Sequence, residues 1–165
     1  MTGDRMSRWE TMFGDDLTQR LAAIEAVCGH DFPCRDLWLH GLPHLREVSL
    51  LAGYIASQSG ADVESAMVAG FLHDCERKDD GGGNRHAHDS ARAARAILRK
   101  HFPHLDTDTI CEAIRRHADG EVTDDPIAGA LWDADRLTLE RLGYRVRRDL
   151  LSTAVARRLA QGPDH

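Results

Sequence analysis

Histidines and aspartates are the residues in this sequence whose types and spacing point to chemistry. The most informative stretch is the run 68–74, in which small and apolar residues end abruptly in His73 and Asp74. A run of this composition predicts burial, and a buried histidine–aspartate pair must be hydrogen-bonded or bound to a metal. Imidazole and carboxylate are ligand types that suit divalent ions such as Zn, Fe or Mn. The pair is therefore a candidate metal site.

Further donors of the same two types lie elsewhere in the chain. They are His44, His86, His88, His117, Asp133 and Asp135. Each has an ordinary alternative, since a histidine in a first helical turn is often a capping or surface residue. Several of them nevertheless fall at predicted helix ends or first turns, where different helices can aim side chains at one point.

The elements that would position these donors are all helices. Apolar residues recur at helical spacing between breaks made by glycine and proline, and no segment has the pattern of a strand. The second predicted helix opens within residues 40–44 and stops at Gly60. The others cover 9–28, 62–74, 86–102, 107–120, 126–139 and about 150–159. The sequence thus predicts an all-α fold of six to seven helices, with the whole chain, 1–165, as one domain.

Two local signals refine this picture. Asp62 precedes an apolar helical run and is predicted to be its N-cap. The segment 79–84 contains three successive glycines and no Walker pattern. It predicts a flexible loop that is either a mobile lid or a plain linker.

Charge and cysteine content restrict the function classes. The chain has 21 Lys+Arg and 27 Asp+Glu, a formal charge of −6, which argues against binding nucleic acid through a general basic surface. No apolar run approaches the roughly 20 residues of a transmembrane helix, so we expect no membrane role. Four scattered cysteines without a Cys-x-x-Cys pair, and no apolar signal segment, indicate a reducing, cytoplasmic setting.

Cys28, His30 and Cys34 resemble half of a zinc site, but no second half with suitable spacing follows.

The donors together resemble a known signature. His44, Leu72-His73-Asp74 and the later 134–137 segment, Ala-Asp-Arg-Leu, resemble the H...HD...D pattern of the HD superfamily of metal-dependent phosphohydrolases, over residues 38–142. The finer pattern HGxxH...LHD...HxDG...WDADRL is similar to that of small uncharacterised HD proteins. The resemblance implies an HD-type helical bundle whose first metal is held by His44, His73, Asp74 and Asp135. Asp133 is the alternative to Asp135, which is preferred because it directly precedes Arg-Leu.

Two more histidines match the longer H...HD...H...H...D form, in which they serve a second metal or the substrate phosphate. His117 is one, and His86 is preferred to His88 for the other because it stands four residues before Ser90-Ala91. Asp74, His86, His117 and Arg77 are the candidate catalytic residues. Arg77 and Arg136 are candidates for holding phosphate oxygens, or else ordinary ion-pair partners, and Glu76 is a candidate general base.

The resemblance also implies the activity. We expect a phosphohydrolase that uses one or two divalent ions (Mn, Fe, Co, Ni, Zn or Mg) to activate water against a small phosphate ester, nucleotide or phosphodiester. The alternatives are a di-iron HD-type oxygenase and a non-catalytic domain that binds a metal or ligand. HD hydrolases of guanosine tetraphosphate carry Glu-Asp where this chain has Arg77-Lys78, which disfavours that activity. The Gly-Tyr-Pro motif of HD-type cyclic-dinucleotide phosphodiesterases is also missing.

Overall fold

A computed structural model of the protein describes residues 10–160, with side chains from residue 12 onward. Within this range the chain forms seven α-helices, two short 3-10 helices and no strand. The helices are α1 (Glu10–Cys28), α2 (Leu42–Ser59), α3 (Val63–Leu72), α4 (Arg85–His101), α5 (Thr107–Arg116), α6 (Pro126–Leu137) and α7 (Ala154–Leu159). The predicted all-α class is confirmed.

Several predicted helix ends are confirmed by the backbone. Asp62 caps α3, because its carboxylate accepts a hydrogen bond from the backbone N–H of Ser65 at 3.0 Å. Gly60 ends α2 in the left-handed region, at φ +78°, a conformation that glycine adopts without steric cost. The predicted start of the first helix, at residue 9, lies outside the described residues.

Other predicted ends are wrong, mostly by overextension. α3 ends at Leu72 rather than at residue 74, and α5 ends at Arg116 rather than near Gly120, so the site histidines follow their helices. α6 ends at Leu137, where a 3-10 segment, Thr138–Leu142, replaces the predicted last turn. The final helix begins at Ala154 instead of about residue 150. Thr153 caps that helix, and a separate 3-10 turn occupies 148–150.

The core is organised around α3. All residues of α3 from Ser65 to Leu72 are buried, as expected of a helix that is apolar on every side. α2, α5 and α6 pack directly against it, while α4 lies outside on α5. α3 therefore presents its C-terminal end, where His73 and Asp74 follow, inside the bundle.

Small residues let α2 and α3 approach closely near that end. A Cβ added to Gly70 would lie 2.8 Å from Cα of Ser49, which no real Cβ tolerates. The hydroxyl of Ser49 also donates to the carbonyl oxygen of Met67 at 2.8 Å. The contact fixes the start of α2, and hence His44, relative to the end of α3.

Two further properties concern the helices and the cysteines of the described residues. None of the described helices combines the length and apolar character that a bilayer crossing requires. The four cysteines are free thiols, three of them buried.

Candidate metal centre

Three helices place four of the predicted ligands around one point. His44 lies in the first turn of α2, His73 and Asp74 directly follow α3, and Asp135 lies in the last turn of α6. Nε2 of His44 is 3.2 Å from Nε2 of His73 and 3.2 Å from Oδ1 of Asp135. Oδ2 of Asp74 is 3.6 Å from Nε2 of His44 and 3.5 Å from Nε2 of His73. We call His44, His73, Asp74 and Asp135 the first donor group.

The other two predicted histidines face the second oxygen of the same aspartate. Nε2 of His86, from the first turn of α4, is 3.4 Å from Oδ1 of Asp74. Nε2 of His117, which follows α5, is 3.2 Å from that oxygen. We call His86 and His117 the second donor pair. Asp74 thus lies between the two sets, with one carboxylate oxygen directed to each.

Backbone carbonyls orient two of the imidazoles. Nδ1 of His73 lies 2.6 Å from the carbonyl oxygen of Gly70, and Nδ1 of His117 lies 2.7 Å from that of Ile114. A carbonyl oxygen only accepts, so each Nδ1 must carry the proton that it donates. Each Nε2 therefore directs its lone pair into the centre in the neutral ring, which is the arrangement seen in metal-binding histidines.

The donors fit a metal ion better than they fit one another. Neighbouring atoms that share an ion at about 2.0–2.2 Å lie about 2.8–3.6 Å apart in octahedral or tetrahedral geometry. The donor–donor distances above fall in this range. Oδ1 of Asp74 is fully buried and accepts no well-formed hydrogen bond from the described residues. A buried oxygen without a partner is costly, and a cation would remove that cost.

Burial and mutual attraction set the protonation of the first donor group. Burial lowers the pKa of His44, against the opposing effect of Asp135. Burial also acts to lower the pKa of His73, but the carboxylates of Asp74 and Asp135 outweigh it and raise that pKa to about 9. For both aspartates burial acts to raise the pKa, yet the facing imidazoles, His73 foremost, hold it below its usual range. Within the first donor group, the two carboxylates thus favour the protonated form of the His73 ring, and burial favours the neutral form of the His44 ring.

The second donor pair has a different environment. Burial lowers the pKa of His86 to about 4, with Asp74 opposing this shift and the nearby Arg77 adding to it. Nη1 of Arg77 lies 2.9 Å from Nε2 of His86 and 3.4 Å from Oδ2 of Asp74. The nitrogen of His86 that faces Asp74 is therefore a neutral acceptor, and it accepts a hydrogen bond from the Arg77 guanidinium.

Arg77 also holds the glycine-rich loop against the centre. Its guanidinium donates to the carbonyl oxygens of Asp79 and Gly81, and its side chain is buried. Asp80 accepts from the backbone N–H of Leu39 and His40 at 3.3 and 3.1 Å. The loop predicted as a lid or linker is thus docked at defined points.

The remaining sequence candidates, Asp133, Arg136, His88 and Glu76, belong to neither the first donor group nor the second donor pair. The carboxylate of Asp133 accepts from both backbone N–H groups of Ser152 and Thr153 and from the Thr153 hydroxyl, so it anchors the segment before α7. Arg136 donates to the carbonyl of Leu150. His88 is exposed on α4. Glu76 lines a cleft next to Arg77. The structure brings Asp135, not Asp133, to the histidines, and the ligand roles remain predictions.

Sequence reasoning missed residues that contact the first donor group from outside. Nη2 of Arg141 donates to the carbonyl of Leu39 at 2.7 Å and lies 3.4 Å from Nδ1 of His44. The ring of His40 packs edge-on to that of His44, with centroids 5.2 Å apart, and its Nδ1 is 2.9 Å from Oδ1 of Asp80. His40 was visible in the HGxxH pattern, whereas nothing in the local sequence distinguishes Arg141 from a surface arginine.

With this geometry established, comparison with known proteins identifies the family. The model of the family described as "HD domain" matches residues 41–143, more than half of the chain. The chain belongs to the HD domain family. The match spans every residue of both donor sets and leaves α1 and α7 outside it. No curated protein matches the chain significantly.

One solved structure supports the HD fold over nearly the full length. It is the crystal structure of a predicted HD superfamily hydrolase from an uncultured Thermotogales bacterium, with 24% sequence identity and a TM-score of 0.58. The alignment covers 93% of this chain and 88% of the other. At this identity the likeness shows that the two proteins share a fold, and the HD-type bundle predicted from sequence is confirmed.

Proposed function

We propose that this HD protein is a metal-dependent phosphohydrolase acting on a small phosphate ester, nucleotide or phosphodiester. The observation that carries the proposal is the convergence of buried acceptor atoms that face one another on both sides of Asp74. The first donor group would hold one divalent ion, and the second donor pair would hold a second ion or the substrate phosphate. When bound, such an ion lowers the pKa of water towards 7 and polarises a phosphoryl oxygen.

The chain's own residues supply the rigidity that this chemistry needs. The carbonyls of Gly70 and Ile114 fix the rings of His73 and His117, so these donors are aimed before any ligand arrives. Asp74 is 1% exposed, which keeps bulk water from its carboxylate. A preorganised, poorly hydrated site stabilises developing charge more strongly than water does.

Arg77 links the two donor sets. It contacts Asp74 on one side and His86 on the other, and so fixes the carboxylate that both sets share. Two more of its five N–H groups donate to the carbonyl oxygens of Asp79 and Gly81. We therefore assign Arg77 the role of positioning Asp74 and His86, in addition to the predicted contact with phosphate.

The second donor pair also favours one alternative function. A six-donor set divided by a single carboxylate suits two ions, and some HD-superfamily proteins use two irons with dioxygen. An iron content near two per chain and visible colour in the freshly purified protein would support a di-iron oxygenase.

The hydrogen bonds that Arg77 and Arg136 make within the protein favour a second alternative function. Arg77 and Arg136 both donate to backbone carbonyls, so fewer of their N–H donors are left to bind phosphate. This would suit a non-catalytic domain that binds a metal or ligand. Ligand binding without product, across a broad panel of phosphate esters, would support it.

The deciding experiment is metal analysis followed by an activity panel. The protein is purified without added metal, its metal content is measured, and phosphomonoesters, nucleotides and phosphodiesters are tested with Mn, Co, Ni and Mg. The proposal expects metal-dependent release of phosphate or of a phosphomonoester. It expects loss of that activity in Asp74→Ala and retention in the exposed control His88→Ala. Absence of turnover with every metal and substrate class would overturn it.

A further inference from the structure

A cleft opens beside the second donor pair. It lies between the glycine-rich loop and the start of α4, and its volume is about 520 Å³. Small-molecule sites have volumes of roughly 300–1,000 Å³. Arg77 and His86 line this cleft and also contact Asp74. A molecule in the cleft would therefore contact two residues that themselves contact the Asp74 carboxylate.

The cationic side chains that line the cleft differ in how many hydrogen bonds and ion pairs they make within the protein. Arg77 uses its guanidinium on Asp74, His86 and two loop carbonyls, and Arg85 lies 3.9 Å from Asp89. Lys78 also lines the cleft and is exposed. In the described part of the chain no acidic group lies within ion-pair distance of the Lys78 ammonium, so this charge is available to a ligand.

The backbone of the cleft is held in place without filling it. The loop is fixed at one end by Asp80 and at the other by Asn84, whose amide donates to Asp119 at 3.2 Å. A Cβ added to Gly82 would meet no atom within 4 Å, and the φ of this residue is not in the left-handed region. Neither packing nor backbone conformation therefore requires glycine there, and the missing side chain leaves this part of the cleft open.

The start of α4 adds a favourable potential for anions. Asn84 occupies the N-cap position but makes no side-chain capping bond, and the Ala87 N–H donates to the Asn84 carbonyl oxygen at 3.1 Å. Arg85 and His86, the first two residues of this helix, line the cleft. The positive end of this 17-residue helix favours negative charge at the cleft. Three acidic residues, Glu76, Asp79 and Asp89, also line the cleft; Asp79 accepts from the backbone N–H of Gly81, and Asp89 lies 3.9 Å from Arg85.

We propose that this cleft is the substrate pocket and that Lys78 binds a second anionic group of the substrate. The substrate class is then a small phosphate ester that carries another phosphate or a carboxylate besides the group bound at the metal centre. This inference rests on the proposed phosphohydrolase function. It also gives a reason for the basic Lys78, since an exposed ammonium forms charge-assisted hydrogen bonds with phosphate oxygens.

The chain offers a matched control, because its only two lysines are Lys78 and Lys100. Lys100 is exposed in the last turn of α4, at the opposite end of the helix from the cleft. The test uses metal-loaded protein, with AMP and adenosine 3′,5′-bisphosphate as ligands that differ by one phosphate. Their inhibition constants are measured against hydrolysis of p-nitrophenyl phosphate. Ligand protection of each lysine from acetylation is measured separately by mass spectrometry.

The expected result is selective. In the wild-type protein and Lys100→Ala, the bisphosphate should bind about tenfold more tightly than AMP, as one charge-assisted hydrogen bond would give. In Lys78→Ala this ratio should fall to about one, and Lys78→Arg should largely restore it. Saturating bisphosphate should slow acetylation of Lys78 and leave that of Lys100 unchanged.

Two results would overturn the inference. One is an unchanged ratio in Lys78→Ala, and the other is acetylation of Lys78 that the bisphosphate does not slow. If the protein turns over no substrate of the activity panel, the proposed function fails, and the acetylation measurement alone still decides whether Lys78 binds the second anion.

Discussion

Metal binding to the first donor group should release about one proton near neutral pH. His44 has a lowered pKa and is neutral, while Asp74 and Asp135 have lowered pKa values and are ionised, so these three are ready to bind a cation. His73 is the exception, because its pKa is raised to about 9. At pH 7 its ring is therefore mostly protonated, and a histidine must be neutral to bind a metal. The ion therefore replaces the proton on His73.

The sign of the pH dependence follows from this exchange. Protons compete with the metal at every pH below the pKa of His73, about 9, so apparent affinity should rise with pH and level off above it. The slope should be about one decade, or about 1.4 kcal/mol, per pH unit. Between pH 6 and pH 8 the affinity for the first ion should thus increase about 100-fold.

Calorimetry measures this proton directly. The first equivalent of Zn²⁺ is titrated at pH 6 in two buffers with different ionisation enthalpies, and the difference in heat gives the number of protons released. At pH 6 a zinc-bound water with a pKa of about 7 stays mostly neutral and contributes little. His88→Ala, an exposed change outside both donor sets, should give the same count as the wild type. A count near zero, or an affinity that does not change with pH, would refute the assignment of the proton to His73.

Three further predictions follow from the same geometry. Asp74→Ala should abolish activity and metal retention together, as seen by metal analysis, while circular dichroism still shows a folded helical protein; continued turnover in this variant would remove the metal mechanism. His117→Ala should keep about one metal per chain yet lower kcat about 100- to 1,000-fold. His88→Ala should leave both metal content and kcat unchanged, because His117 reaches Asp74 and the exposed His88 does not. Gly70→Ala should reduce the free energy of unfolding by about 1–3 kcal/mol in urea titrations, because its Cβ would collide with the backbone of α2, and Gly82→Ala, with open space at its Cβ, should not.

Sequence patterns predicted the helices well because their causes are local. Apolar spacing, the Asp62 N-cap and the Gly60 C-cap are properties of a few neighbouring residues, and each has the predicted effect. The final helix was predicted poorly for the opposite reason. Its start depends on Asp133, which lies about 20 residues earlier and binds the backbone of Ser152 and Thr153. No local pattern reports such a tertiary contact.

In the candidate site, too, some features could be predicted from local sequence and others could not. The donor types and their family signature are written in the sequence, and the structure brings all six predicted donors to one place. The residues that hold those donors are not predictable from spacing. Arg141 reaches His44 across 97 positions, and Asp80 reaches His40 across 40. The glycine-rich loop shows the limit most clearly, since its composition indicates flexibility while Arg77 and Asp80 dock it against the centre.

The positions of His73 and His117 just past the ends of their helices have a common physical reason. Each ring donates its Nδ1 proton to a carbonyl three residues earlier, in the last turn of α3 or α5. Carbonyls of a last turn are the ones that regular helical pairing leaves short of donors. The same helix ends carry partial negative charge, which favours a cation. Two helix C-termini that converge on Asp74 thus fix the orientation of both imidazoles and lower the energy of a bound ion. A histidine placed one turn earlier in either helix would lose both effects.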